Sequence, residues 1–150
     1  MDKEQLKIRY EIILTAIKSL DEAIKLFKQY DIPMYIQQSN TFEQEYRAHR
    51  DSVIKRFEYS LDTLWKYLKF YLEATTGIVQ SSPKPIFREC LRNNIISEPE
   101  TLLCMNMVNA RNETSHMYRE EIAERLVAAV PQYYDLMMSI LARTNPHIQE

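Results

Sequence analysis

The apolar residues near the start of the chain recur at steps of three and four, which is the period of an amphipathic α-helix. They form one stripe, which consists of Leu6, Tyr10, Ile13, Ile17, Leu20, Ile24 and Phe27. Because proline disfavours helical backbone in the residue before it and cannot donate a backbone hydrogen bond, we expect this helix to stop near Asp31-Ile32-Pro33.

A second stripe has the same spacing and ends near Gly77, which can supply a left-handed cap. It consists of Ile54, Phe57, Leu61, Leu64 or Trp65, Leu68 and Tyr71 or Leu72. Two long antiparallel helices are predicted.

The segment after Gly77 predicts two further helices. Residues 81–85, with the sequence SSPKP, are expected to form a rigid connector, and the short helix that follows breaks at Asn93-Asn94. The apolar positions of this short helix are Ile86, Phe87, Cys90 and Leu91. Ser97 and Glu100 have the spacing of a capping box, with Pro99 tolerated in the first turn, and they open a fourth helix. Its apolar positions are Leu102, Leu103, Met107 and Ala110.

The last predicted helix starts around Glu120-Glu121, because acidic side chains suit the positive end of a helix dipole. Its stripe continues in phase past Pro131, so we expect this proline to kink the helix without ending it. The stripe consists of Ile122, Leu126, Val130, Tyr133, Met137 and Ile140. The chain is therefore predicted to be all-α, an antiparallel up-and-down bundle of about five helices, four of them main. Its 150 residues suit one domain that spans residues 1–150.

The composition excludes several classes of function. The chain has a single glycine, so it can hold neither a Walker-type phosphate loop nor a dinucleotide-binding fingerprint. The 19 basic and 21 acidic residues give a net charge of −2, so any contact with nucleic acid must be local. Cys90 and Cys104 lack zinc-site spacing and are expected to be reduced, buried thiols. We expect no metal or cofactor. Since neither a signal peptide nor a membrane span is visible, we also expect no membrane partner and a cytoplasmic location.

Several polar and aromatic residues have plain structural explanations. His147 lies in a polar tail and is expected to be exposed. His49 lies within residues 47–50, RAHR, on what we expect to be a solvated helix face. The basic residues of this region are interleaved with Glu43, Glu45, Asp51 and Glu58, as is typical of a salt-bridged helix exterior. The basic residues of this predicted exterior are Arg47, Arg50, Lys55 and Arg56. Three aromatic residues exceed the needs of one helix face and form a candidate interface with a second subunit or a partner: Tyr67, Phe70 and Tyr71.

His116 has a different setting, in the polar run RNETSHMY at residues 111–118. This run is poor in helix formers, so we expect the fourth helix to loosen there. On a continuous helix, Arg111 and His116 would lie about 140° apart, so a local break or a second subunit must bring them together. An imidazole that moves protons and a guanidinium that holds a phosphate suit phosphodiester cleavage without a metal. The alternative is that Arg111 pairs with an acidic residue, His116 caps a helix end and Tyr118 packs.

Two segments carry a family resemblance: RDSVIKRFEYSLDTLWK at residues 50–66 and RNETSHMY at residues 111–118. In this order and spacing they resemble the HEPN family, and most closely its branch of nucleotidyltransferase substrate-binding proteins, which are paired with minimal nucleotidyltransferases (MNT). The similarity covers nearly the whole chain. It implies a helical bundle that dimerises so that the motifs of two subunits face a shared cleft. Family members with an intact motif act as metal-independent endoribonuclease toxins, and the MNT antitoxin can transfer AMP to the motif tyrosine.

Carried over by position, the resemblance implies a role for each motif residue. His116 would transfer protons, Arg111 would hold the phosphate, Asn112 would be a polar positioning group, and Tyr118 would be the modifiable switch. The implied partners are a second copy of the chain, an MNT protein and RNA as substrate. The chain departs from its relatives at Cys104, where they often carry tryptophan, and at Pro131, which interrupts the last helix. Both departures lie outside the motif.

Two functions remain open from the sequence. The first is an RNase toxin that cleaves RNA through the ribose hydroxyl and leaves a cyclic phosphate. The second is a non-catalytic accessory subunit that binds a nucleotidyltransferase and presents a substrate to it. The retained Arg111, His116 and Tyr118 favour the first, whereas the net charge of −2 slightly favours the second, because RNA affinity depends on phosphate neutralisation. A helical bundle that binds a small ligand is a third, weaker hypothesis.

Overall fold

The computed structural model describes residues 3–30 and 40–148, and within them every regular element is helical, with no β-strand. The five α-helices are α1 (Lys3–Lys28), α2 (Asn40–Thr76), α3 (Pro83–Arg92), α4 (Glu98–Glu113) and α5 (Glu120–Arg143). A short 3₁₀ helix, Thr114–His116, separates α4 from α5. The prediction of an all-α fold with about five helices is confirmed. The predicted stop of the first helix at Asp31-Ile32-Pro33 lies outside the described residues.

The contacts between helices give their directions. The Ser60 hydroxyl on α2 donates to the Ala16 carbonyl on α1 at 3.3 Å, and Arg56, one turn earlier, donates to the carbonyl of Ser19 at 2.9 Å. Higher residue numbers on α2 therefore meet lower numbers on α1, which makes the two helices antiparallel, as predicted.

The other two long helices continue this alternation. On α2 and α5, Phe57 stacks on Tyr133, and further along the Tyr67 hydroxyl donates to the carbonyl of Thr144 just past α5, so these two helices run parallel. The ion pair Glu113–Arg125 joins the end of α4 to the first part of α5, and Glu100–Arg143 joins the start of α4 to the end of α5, so α4 and α5 run antiparallel. The order up, down, up, down for α1, α2, α4 and α5 confirms the predicted bundle with four main helices.

The predicted apolar stripes form the core of this bundle. Every predicted stripe residue of α5 is buried, and so is every one of α1 except the half-buried Phe27. Helix α2 contacts all four other α-helices, which explains why its apolar positions exceed one face. The structure therefore contradicts the predicted aromatic interface for Tyr67 and Tyr71, which are buried in the core. Phe70 is half-buried, with the Arg9 guanidinium 3.6 Å from its ring centroid.

The ends of α2 and α4 follow the local sequence. Gly77 has φ +75° and donates its N–H to the carbonyl of Glu73 at 3.1 Å, which is the predicted left-handed cap of α2. Ser97 and Glu100 form the predicted capping box at the start of α4. Helix α5 continues through Pro131 to Arg143, as expected. The kink at this proline stays a prediction.

Two local predictions are wrong. The connector predicted over residues 81–85 ends early, because Ser82 is the N-cap of α3 and Pro83 is its first residue. Prolines fit there, since the N–H groups of a first helical turn have no partner within the helix. Leu102 is 70% exposed, so it lies outside the predicted stripe of α4, of which Met107 and Ala110 are buried. The predicted break after α3 is confirmed by Asn94 at φ +61°.

The two cysteines are free and buried, as predicted. Burial raises the pKa of the Cys90 thiol to about 12 and raises that of Cys104 as well, so both stay protonated at neutral pH. Of the helices in residues 3–30 and 40–148, none combines the length and apolar character that crossing a bilayer requires.

Candidate functional site

The polar run after α4 breaks the helix through its own side chains. The Thr114 hydroxyl donates to the carbonyl of Arg111 at 2.7 Å, and the Ser115 hydroxyl donates to that of Asn112 at 3.1 Å. These hydroxyls compete for carbonyls that a continuing helix would use, which is why serine and threonine are weak helix formers. The predicted loosening of the fourth helix is confirmed, and it places residues 114–119 in a tight turn outside regular α-helix.

Arg111 lies on α4 and reaches α2. Its Nε and Nη2 donate to the two carboxylate oxygens of Asp62, each at 3.0 Å, and its Nη1 donates to the Thr114 hydroxyl at 3.0 Å. A second carboxylate, that of Glu58, lies 3.5 Å from Nη2. The hydrogen bonds to Asp62 raise the pKa of Arg111 further above its ordinary value. Arg111 therefore pairs with an acidic residue, as the structural alternative expected.

His116 and Tyr118 lie on the outside of the bundle. Their rings meet edge to face with centroids 6.2 Å apart, and 76% of Tyr118 is exposed. The carbonyl of His116 accepts the N–H of Arg119 at 3.0 Å, which closes the turn before α5. The alternative in which Tyr118 packs is therefore wrong within one subunit. Such an exposed aromatic ring is accessible to a partner.

The structure brings only some of the predicted site residues together. Asn112 and His116 are both exposed, and Arg111 lies on the same short stretch of chain. In residues 3–30 and 40–148, no hydrogen bond joins the side chains of Arg111 and His116. The break in the helix alone therefore does not join the predicted pair by a direct hydrogen bond within one subunit. The same part of the chain contains no cluster of three or more His, Cys, Asp or Glu side chains suited to hold a metal ion.

One charged residue at this end of the bundle was predicted wrongly. Arg50 is only 2% exposed, although the sequence predicted a solvated face there. It donates to Asp51 at 3.0 Å, to Glu120 at 2.6 Å and to Glu124 at 3.5 Å. Burial works to lower the pKa of Arg50, but the hydrogen bonds and negative charges of Glu120 and Asp51 outweigh it and raise the pKa. The helical period carried the signal, since residue 50 is in phase with Ile54 and the stripe that follows.

Arg50 ties α2 to the first turn of α5, two residues beyond Tyr118. The same contact lowers the pKa of Glu120. Tyr46 adds a second tie, because its hydroxyl donates to the Glu124 carboxylate at 2.7 Å, and burial together with this carboxylate raises its pKa to about 12. The exposed segment with His116 and Tyr118 therefore starts from α4 and ends at an anchored helix.

The remaining polar predictions have mixed outcomes. His147 is exposed, as predicted, with its Nε2 3.1 Å from a Glu11 carboxylate oxygen. Two basic residues of the predicted salt-bridged exterior, Arg47 and Lys55, have carboxylate partners at 3.6 and 3.8 Å. His49 is half-buried and stacks on Tyr30 with ring centroids 4.8 Å apart, so it belongs to the aromatic packing rather than to a solvated face.

Comparison with known proteins gives consistent matches over nearly the whole chain. The family model for "nucleotidyltransferase substrate binding protein like" proteins matches residues 8–145. A solved protein of Thermus thermophilus is similar at 29% identity, covering 84% of this chain and 98% of its own, with a TM-score of 0.66. No curated protein matches at a significant level.

Two similar structures are toxin–antitoxin complexes. One is a tri-AMPylated HEPN toxin of Shewanella oneidensis in complex with an MNT antitoxin, at 20% identity, with 88% and 95% of the two chains covered and a TM-score of 0.62. The other is a toxin–antitoxin structure with AMP-PNP, at 19% identity, with 89% and 98% covered and a TM-score of 0.64. At these identities, the likeness shows that the helical fold is shared.

Proposed function

Because the chain belongs to the nucleotidyltransferase substrate binding protein like family, a HEPN group, we propose that it is the toxin of a HEPN–MNT toxin–antitoxin pair. In this proposal, the single domain formed by residues 1–150 acts in the cytoplasm as a metal-independent endoribonuclease. Two copies form a homodimer with a shared cleft, and an MNT protein is the antitoxin. The observation that carries the proposal is an exposed imidazole, His116, on a turn held outside the core and five residues after an immobilised arginine.

The proposed reaction uses the ribose of the RNA itself. His116 takes the proton of a 2′-hydroxyl, whose oxygen attacks the adjacent phosphorus and forms a 2′,3′-cyclic phosphate. The bond to the 5′-oxygen breaks, and this oxygen takes up the proton that His116 removed, which regenerates the imidazole. Arg111 stabilises the charge on the phosphate, and Asn112 offers a polar group beside it. Since no hydrogen bond joins the side chains of Arg111 and His116 within one subunit, the dimer is proposed to complete the site.

Tyr118 is the proposed point of control. Its hydroxyl oxygen attacks the α-phosphate of ATP on the MNT partner, so that AMP is joined to the ring and pyrophosphate leaves. The exposure of this ring supports the proposal, because an acceptor must reach the active site of another protein. An added AMP would stand two residues from His116 and bring a bulky anion that blocks RNA by size and by charge.

Cleavage of total RNA in the presence of EDTA tests the nuclease. Wild-type protein is expected to cleave, whereas Arg111→Ala and His116→Ala are expected to lose cleavage. His147→Ala is the matched control, since it removes an exposed imidazole elsewhere and should cleave as wild type does. Cleavage that survives both motif substitutions would show that the site is misassigned.

Intact-mass analysis tests the switch. After incubation with the cognate nucleotidyltransferase and ATP, the wild-type chain should gain the mass of AMP, and Tyr118→Phe should abolish this gain. Tyr59→Phe is the matched control, because Tyr59 is also exposed, at 58%, but lies on α2 and outside the turn at residues 114–119. An active partner that leaves the wild-type mass unchanged would remove the switch.

A specific observation favours a second function, that of a non-catalytic accessory subunit that binds substrate for the nucleotidyltransferase. Arg111 already has two carboxylates beside it, those of Asp62 and Glu58, so the local charge of the three groups is −1. This net negative charge disfavours the binding of an RNA phosphate. If this function is correct, the wild-type protein binds the nucleotidyltransferase but leaves RNA intact in the EDTA assay.

A further inference from the structure

The hydrogen bonds of Arg111 leave a defined part of its guanidinium open. An arginine side chain has five N–H donors. Two of them are taken by Asp62, through Nε and Nη2, and one by Thr114, through Nη1. One N–H on each terminal nitrogen, Nη1 and Nη2, therefore remains. A phosphate that binds an arginine in bidentate fashion needs two such donors.

The groups that hold Arg111 are themselves held. Thr114 is buried and contacts Arg111 twice, since its hydroxyl accepts from Nη1 and donates to the Arg111 carbonyl. Asp62 belongs to a different helix, α2, so the guanidinium is gripped from two sides by separate elements. A side chain oriented before its ligand arrives loses less conformational entropy on binding. This arrangement is therefore suited to orient the two remaining donors.

Glu58 has a different relation to the same side chain. One of its carboxylate oxygens lies 3.5 Å from Nη2 but forms no hydrogen bond with Arg111, and its other neighbour is Lys55 at 3.8 Å. Its negative charge thus stands beside a nitrogen that still has a free donor. An incoming phosphate would meet this charge at short range, whereas it would find the Asp62 carboxylate already neutralised by two hydrogen bonds.

We propose that Asp62 and Glu58, one helical turn apart on α2, have opposite effects on RNA. Asp62 is a positioning residue that aims Arg111 at the phosphate, and Glu58 is a competing anion that weakens RNA binding and so limits the toxin. This inference rests on the proposed ribonuclease function and deepens it, because it assigns a brake to the same site.

Three substitutions that each remove one negative charge from α2 test the inference. Asp62→Asn is expected to lower kcat for cleavage of a single-stranded RNA by about tenfold or more, since charged hydrogen bonds that orient Arg111 are lost. Glu58→Gln is expected to lower KM several-fold and to leave kcat unchanged. Glu73 lies on the same helix, about 16 Å from Asp62. Glu73→Gln is therefore the charge-matched control, and it is expected to change neither kcat nor KM.

The signs of these changes separate positioning from simple charge. If both Asp62→Asn and Glu58→Gln strengthen RNA binding and leave kcat intact, the two carboxylates act only through their charge and the positioning role is overturned. If Glu58→Gln leaves KM unchanged, the proposal that Glu58 weakens RNA binding is overturned. Asp62→Glu retains an acceptor for Arg111 and is expected to restore part of the kcat that Asp62→Asn loses.

A second readout does not depend on cleavage. The NMR signal of the Arg111 Nε–H, assigned by its loss in Arg111→Lys, should shift and exchange faster with water in Asp62→Asn but stay in place in Glu58→Gln. A 2′-O-methyl RNA, which offers no hydroxyl for attack, should bind more tightly to Glu58→Gln and more weakly to Asp62→Asn. If these results hold while wild-type protein cleaves no RNA, the nuclease proposal fails and the positioning role stands. An Nε–H signal unchanged in Asp62→Asn overturns the positioning role, even in an active nuclease.

Discussion

Arg50 and Arg47 lie one turn apart on α2, and both approach Glu120, but only Arg50 is buried. Its side chain is 3% exposed, whereas that of Arg47 is 52% exposed and lies 3.6 Å from Glu120. Arg50 makes three hydrogen bonds to carboxylates, at 2.6, 3.0 and 3.5 Å. Since the carboxylates are about half exposed, each bond is worth no more than an ordinary one, about 0.5–1.5 kcal/mol. Arg50→Ala is therefore expected to lower the free energy of unfolding by about 2–4 kcal/mol.

Urea denaturation at pH 7 measures this difference. Arg47→Ala, the matched control, is expected to change the free energy of unfolding by less than about 0.5 kcal/mol, because exposed ion pairs are screened by water. Arg50→Lys keeps the charge but loses the fork of donors, so we expect a loss between those of the two alanine variants. If Arg47→Ala and Arg50→Ala destabilise the protein equally, burial is not what makes the Arg50 contacts strong, and the reasoning is refuted.

Three further predictions concern stability, each measured by urea denaturation. A hydrogen bond from Arg143 lowers the pKa of Glu100 from 4.5 to about 2. The contribution of Glu100 to the free energy of unfolding is therefore complete above pH 4.5 and is lost as the pH falls towards 2. Between pH 7 and pH 3 the wild type should lose about 1–2 kcal/mol more stability than Glu100→Gln, and equal losses would contradict this. Gly77→Ala should cost about 1–2 kcal/mol through its positive φ alone, since an added Cβ meets nothing within 4 Å; Gly77→Asn should cost less, and a neutral alanine variant would show that the turn relaxes. Tyr67→Phe removes the buried hydroxyl that donates to the carbonyl of Thr144 and should cost about 1–2 kcal/mol, whereas an unchanged midpoint would mean that this hydrogen bond adds no net stability.

Much of the fold could be predicted because its signals are local. The period of apolar residues along α1 and α5, the capping box at Ser97 and the left-handed residue Gly77 each act through neighbours in the chain, and all were confirmed. The same holds for the break after α4, where the hydroxyl of Thr114 takes a nearby carbonyl. The exposure of Leu102 could not be predicted, because its place on α4 depends on which neighbouring helix covers each face.

The candidate site shows the same difference between features set by neighbours in the chain and features set by contacts between helices. The sequence located Arg111, His116 and Tyr118 in one polar stretch and predicted the break that exposes it. The partner of Arg111 is Asp62, 49 residues away in the chain. Nothing in the spacing of the motif identifies this contact, because it depends on the register between α2 and α4.

The amino-acid sequence by itself determined where the helices run, which of their faces are apolar and where polar chemistry interrupts them, because backbone hydrogen bonding and helical period act over a few residues. Only the tertiary structure decided which charges are buried and which pairs meet. It placed Arg50 inside a group of carboxylates and bound Arg111 to Asp62, since those contacts exist only when separate helices pack at one register. The energy of a charge depends on its surroundings, and packing creates those surroundings.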